Sequence, residues 1–187
     1  MISILGHFRR LLDFSGRESR ASFWPYAAVV FAITMLGGMA AMLPGMMDMF
    51  DRMQQFAIDN PDQATVTQGP GHYSITIQGH HPELMPDFGA MLGGMALVSV
   101  VSIALLAAAV TRRLHDRGSR GVWGLLPVPF LFSGFYLMPH LFRMSEPGLG
   151  LFGLMFANNA VYLASLGVLA YLLASPGDPD ANRFGPA

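Results

Sequence analysis

The chain has 187 residues, 52% of them hydrophobic and only 12% charged, whereas roughly a quarter of an average soluble domain is charged. A net charge of -1 gives no bulk pull toward nucleic acid or another polyanion, so nucleic-acid partners are not expected. Cysteine and lysine are both absent, which excludes disulfides, thiolate metal sites, Schiff-base chemistry and the Walker-type phosphate lysine.

The N-terminal arm carries Arg9, Arg10, Arg17 and Arg20 ahead of an apolar run. That run is long enough to span a bilayer and exceeds the roughly 7–15 residues of a signal peptide's apolar region, so it is expected to remain as an uncleaved first transmembrane helix. A spanning helix needs about twenty apolar residues. Four segments meet this length: approximately 22–47, 88–111, 121–142 and 149–174. The first two contain no charged side chain over 23–47 and 88–110. The third carries Pro127, Pro129 and Pro139; each proline removes a backbone donor, which predicts a bent or broken helix. The fourth holds Asn158, Asn159 and Tyr162 and stops at Ser175-Pro176-Gly177, a helix terminator. These three polar groups are expected to face inward, bonding carbonyls that the proline-rich third helix leaves free rather than lining a transport pathway.

Nine of the eleven arginines fall in the N-terminal arm, in the connection between the second and third helices, or in the C-terminal tail. Arginine-rich short loops stay in the cytoplasm. Both termini are therefore expected in the cytoplasm, with 48–87 outside. Within that outer segment Met46, Met49, Phe50, Met53, Phe56 and Ala57 recur at helical spacing, so the first helix should continue until Asn60-Pro61 ends it. Segments 65–68 and 72–77 flank Gly69-Pro70-Gly71 and predict a small β-hairpin, which must pack on the helix extension, the bilayer or a second copy because an isolated hairpin is marginal. Gly37-Gly38 and Gly89, Gly93 and Gly94 are the candidates for close contact between the first two helices. Trp24, Tyr26, Trp123 and Tyr136 fit interfacial anchors. The expected fold class is an all-α integral membrane protein: one domain over 1–187, a four-transmembrane-helix bundle with a small extracytoplasmic helix extension and β-hairpin.

Three arginine-bearing stretches resemble a bacterial inner-membrane family catalogued as domain of unknown function 805. They are Phe14-Ser15-Gly16-Arg17-Glu18-Ser19-Arg20-Ala21-Ser22-Phe23-Trp24 at the first helix, Arg112-Arg113-Leu114-His115-Asp116-Arg117-Gly118 followed by Trp123 at the third, and the tail from Pro176-Gly177-Asp178 through Asn182-Arg183-Phe184-Gly185-Pro186. The resemblance implies a bacterial inner-membrane location and this helix arrangement, and it implies no reaction. The chain departs from the family pattern in having Val122-Trp123 where two tryptophans are usual, and in its long outer segment.

The candidate site is the set Arg17, Arg20, Arg112, Arg113, His115, Asp116, Asn182 and Arg183. A guanidinium is a planar fork suited to phosphate or carboxylate, so the set predicts a site for an anionic lipid headgroup, a phosphorylated metabolite or a protein partner. The competing reading is structural: the arginines enforce topology and pair with Asp13, Glu18, Asp116, Asp178 and Asp180, clamping the tails. His115 and Asp116 are neighbours that diverge by about 100° on a helix, which disfavours a catalytic dyad. His72, His80 and His81 with Glu83 and Asp87 match no closed metal motif, and the methionine stripe reads as packing and lipid contact. With no nucleotide motif, nucleophile elbow or metal signature, no catalytic residue, metal or cofactor is assigned. The expected role is a binding or accessory component in contact with lipid, a protein partner or a second copy. A small transporter or channel comes second, and a membrane enzyme acting on a phosphorylated lipid third.

Overall fold

The computed structural model describes residues 4–79, 81–143 and 148–186. Its elements are α1 (Ile4–Arg9), α2 (Arg20–Asp59), β1 (Ala64–Gly69), β2 (His72–Ile77), α3 (Phe88–His115), α4 (Val128–Arg143) and α5 (Leu149–Ala174), with 3-10 turns at Pro82–Leu84 and Gly121–Leu125. Four stretches, Arg20–Asp59, Pro82–His115, Gly121–Leu141 and Leu149–Ala174, are long and apolar enough to cross a bilayer.

The element boundaries depart from the predicted ones for local reasons. At 40 residues, α2 has about twice the length that hydrocarbon requires; it ends where the Asn60 side chain bonds the Phe56 carbonyl. Helix α3 runs to His115, so Arg112 and Arg113 belong to its last turn and not to a loop. Cations there complement the negative end of the helix dipole. The proline-rich third segment is broken as expected: Gly121–Leu125 is a 3-10 turn, and α4 starts only at Val128 with Pro139 inside it.

By internal contacts the chain divides into two compact units, one comprising the residues up to Leu36 and from Ala96 onward, the other Gly37–Met95. In the first, the core is Phe23, Tyr26 and Val30 of α2, Ala109, Val110 and Leu114 of α3, and Leu169 and Leu173 of α5. These positions recur at helical spacing and turn one stripe of each helix inward. The Tyr26 hydroxyl donates to the Leu105 carbonyl at 2.7 Å and is almost fully buried, so Tyr26 is a core residue and not an interfacial anchor. Trp24, Trp123 and Tyr136 are exposed. Thr34 and Ser102 share a hydrogen bond of 2.6 Å between α2 and α3. Between α4 and α5, Asn158 donates to the Phe130 carbonyl at 3.0 Å and accepts from Ser133. That carbonyl is not one freed by proline, since the missing donors of Pro129 and Pro139 would have served residues 125 and 135. Asn159 lies on the exposed side of α5. Phe31, Leu36, Leu97, Phe156 and Tyr171 are each more than 60% exposed, a surface that would be a liability in water and suits a lipid environment.

In the second unit, β1 and β2 pair antiparallel from Ala64↔Ile77 to Gly69↔His72. The two-residue turn uses Pro70 with its fixed φ and Gly71 at φ 73°, the positive angle that position i+2 of a type II turn requires. The hairpin rests on the end of α2, through Tyr73 and Phe50 rings 5.9 Å apart and a Gln54 donation to the Tyr73 hydroxyl. Of the histidines considered for metal, His80 lies outside the described residues. His81 bonds Glu83 and the Gln78 carbonyl, and no three His, Asp or Glu side chains converge among the described residues. Of the glycines expected to permit close approach of α2 and α3, Gly94 does so here, joined by Gly45, which the sequence did not single out. A Cβ on Gly94 would stand 2.9 Å from the Ala41 Cβ and one on Gly45 3.1 Å from Met91, whereas Gly38 and Gly93 face open space and Gly89 meets only Asp87.

Gly94→Val should therefore destabilise the solubilised protein by about 1–3 kcal/mol through overpacking, while Gly93→Val should leave the thermal midpoint within measurement error.

Candidate functional site

All eight predicted site residues lie at the arginine-rich end of the first unit, where the last turn of α3 meets the N-terminal arm and the C-terminal tail. Arg112 is buried with Glu18: its Nε donates to Oε2 at 2.9 Å, and both side chains are 1% exposed or less. Its Nη1 donates to the carbonyls of Arg10, at 3.2 Å, and Asp13, while the Glu18 amide donates to the Arg112 carbonyl at 3.1 Å. The second oxygen of Glu18 takes His7, whose ring stacks on Tyr26 at 4.5 Å. Every buried oxygen and guanidinium edge here has a partner, the condition under which a buried ion pair is tolerable. In the arm itself, the Ser15 hydroxyl and then Arg10 hold the Asp13 carboxyl well below the usual carboxylate range, so the turn keeps its charge into acidic solution.

Arg113, Arg117 and Arg20 converge on the end of α5. A helix leaves its last carbonyls without intrahelical donors. Here Tyr171's carbonyl takes the Ser175 amide, Leu172's takes Arg117 at 2.9 Å, Leu173's takes Arg113 Nε at 2.9 Å and Ala174's takes Arg20 at 3.3 Å. Arg113 also spans to the Ser175 carbonyl and to Asp116 Oδ2. Three arginines thus supply both the missing donors and the positive charge that the C-terminal end of a helix dipole attracts.

The tail is held by Arg17 and by the end of α3. Arg17 donates to Asp116 Oδ1 at 3.1 Å, to its carbonyl, and to the carbonyls of Asp178, Asp180 and Gly185. Asn182 donates to the His115 carbonyl and to Asp178, each at 3.0 Å. The His115 ring stacks on Phe184 at 3.7 Å and reaches the Gly16 carbonyl. Arg183 lies over Phe184 and donates to the Gly118 carbonyl. Gly177 permits this approach, because a Cβ there would sit 2.0 Å from Asp116 Oδ2. His115 and Asp116 face separate partners. Of the five acidic residues considered as clamp partners, Glu18 and Asp116 take site arginines by their carboxylates, Asp13 pairs with Arg10, and Asp178 and Asp180 contribute carbonyls to Arg17. Sequence reasoning missed His7, whose six-residue helix is too short for a periodicity signal.

A second feature shares this unit. An open groove of about 900 Å³ runs between α2, α3, α5 and the 3-10 turn leading into α4. Its walls are mainly apolar, among them Phe31, Leu106, Val110, Leu125, Val128 and Leu169, and no charged residue among the described residues lines it. The Thr34 and Ser102 hydroxyls on its wall are bonded to each other. Phe14, Trp24, Gly121 and Val122 bring it to the arginine-rich end. Gly124 allows the 3-10 turn to lie on α3, since a Cβ would come 2.8 Å from Val110.

Residues 11–186 match the family model described as Protein of unknown function (DUF805). The chain belongs to this family. No curated protein and no solved structure matches it. The DUF805 match takes in all eight predicted site residues, the end of α5 and the groove; His7 and the Arg10 carbonyl fall outside it.

Glu18→Ala, which strands Arg112 in the interior, should cost about 3–5 kcal/mol, seen as a fall in the thermal midpoint of more than about 6 °C. Arg113→Lys should also lower it, because one ammonium cannot bridge Leu173, Ser175 and Asp116. Arg183→Ala, at an exposed side chain, should cost under about 1 kcal/mol.

Proposed function

We propose that this protein is a multi-pass bacterial inner-membrane component that binds lipid, with the arginine-rich end in the cytoplasm fastening arm and tail to the helix ends. The observation that carries the reading is the groove of about 900 Å³ with apolar walls. Its volume lies within the roughly 300–1,000 Å³ of small-molecule sites. The groove is open to its surroundings and its lining is mainly apolar, so in a bilayer the natural filling is an acyl chain. The uncharged lining also weighs against ion-coupled transport, which places ionisable residues along the pathway. Around the arginines, the existing partners of Arg112, Arg113 and Arg17 favour a fastening role over an open anion pocket.

Ala28 and Ala170 line the groove and are exposed within it. In native mass spectrometry of gently solubilised protein, wild type should carry at least one lipid. The double variant Ala28→Trp/Ala170→Phe should lose most of it at an unchanged thermal midpoint; an equal lipid load in both would refute the lipid-groove reading. The cysteine-free background permits a test of orientation: Thr67→Cys should react with an impermeant maleimide in intact spheroplasts, and Asp180→Cys only after permeabilisation. The reverse pattern would invert the proposed topology.

A further inference from the structure

We infer that the groove selects a phospholipid with an anionic headgroup, whose phosphate is held at the arginine-rich end by Arg20 and Arg120; this rests on the lipid-groove reading above. The argument begins with charge. Nine arginines gather at this end in sequence and five acidic residues accompany them: Asp13, Glu18, Asp116, Asp178 and Asp180. The carboxylates of Asp13, Glu18, Asp116 and Asp178 accept from donors within this end, so the excess positive charge is not answered by the protein itself.

The arginines differ in what they have left to offer. Arg112 and Arg113 are buried, and all three nitrogens of Arg17 are engaged. Arg20 and Arg120 are exposed. Among the described residues, Arg20 spends only Nη1, on the Ala174 carbonyl, and the Arg120 side chain makes no hydrogen bond or ion pair.

Both stand where the groove reaches this end. Arg20 opens α2 one turn before Phe23 and Trp24, which line the groove, and i to i+4 spacing puts Arg20 and Trp24 on one face. Its acceptor, Ala174, follows Leu173, another lining residue. Arg120 is the N-cap of the 3-10 turn whose Gly121, Val122 and Leu125 form the facing wall. A chain lying in the groove therefore brings its headgroup to two guanidinium groups, each presenting a fork matched to phosphate oxygens. Leu12, Phe14, Val122 and Trp123 are exposed around this end, where apolar and aromatic side chains suit the headgroup boundary.

The test uses Trp24 as the reporter. With Trp123→Phe as background, the full-length protein is placed in phosphatidylcholine vesicles containing chain-brominated phosphatidylglycerol or chain-brominated phosphatidylcholine at equal mole fraction, and quenching of Trp24 is measured. The brominated anionic lipid should quench at roughly five- to thirtyfold lower mole fraction, as expected for one or two arginines near an anionic headgroup. Arg120→Gln, which breaks no internal bond, should reduce that preference, and Arg20→Gln/Arg120→Gln should abolish it while Ala170→Phe still suppresses quenching by either lipid. Equal quenching by both lipids in wild type, still sensitive to Ala170→Phe, would overturn the headgroup inference and leave the groove intact. Quenching insensitive to Ala170→Phe would overturn the groove reading itself. A preference for the anionic lipid that persists in both arginine variants would overturn the assignment to Arg20 and Arg120.

Discussion

The arginine-rich end is organised by the unsatisfied carbonyls at the end of α5. A helix cannot supply donors to its own last turn, and in an apolar setting each orphaned carbonyl costs several kcal/mol. Arg117, Arg113 and Arg20 meet the carbonyls of Leu172, Leu173 and Ala174 in turn. Because these arginines belong to the end of α3, the loop after it and the start of α2, satisfying one helix end fixes three segments of chain at once.

The preference for arginine follows from the same constraint. A guanidinium has five donors in a rigid plane and can serve several acceptors at once, whereas an ammonium is a compact, strongly hydrated charge. Arg113 links Leu173, Ser175 and Asp116, and Arg112 joins Glu18 to two carbonyls of the N-terminal arm. Such multiplicity offsets the desolvation of a buried cation. It also explains how a chain with no lysine can bury two full charges beside an apolar core.

The core gathers around Phe23, Tyr26, Val110, Leu114 and Leu173, near the arginines, and Phe23, Val110 and Leu173 also form part of the groove wall. In water such an opening would collapse or aggregate. In lipid there is no hydrophobic penalty for leaving helices unpaired along part of their length, so a fastened end with an open apolar flank is compatible with a bilayer setting.

Composition and periodicity determined the four apolar helices, the extension of the first to Asn60, the hairpin around Pro70-Gly71 and the break near Pro127, because each rests on short-range rules: hydrocarbon solubility, φ restriction and missing donors. The grouping of Arg17, Arg112, Asp116 and Asn182 was also legible, since the helix count puts their segments at one end. Their partners were not. Most of the acceptors are backbone carbonyls, which every residue carries and no side-chain pattern marks, and Arg17 meets Asp180 across 163 positions of sequence. Tyr26 looked like an interfacial anchor because only the packing of α2 on α3 brings the Leu105 carbonyl to its hydroxyl. His7 and the groove belong to the tertiary structure alone: the first is defined by burial against Tyr26 and Glu18, and the second by the space between helices, which has no residues of its own to read.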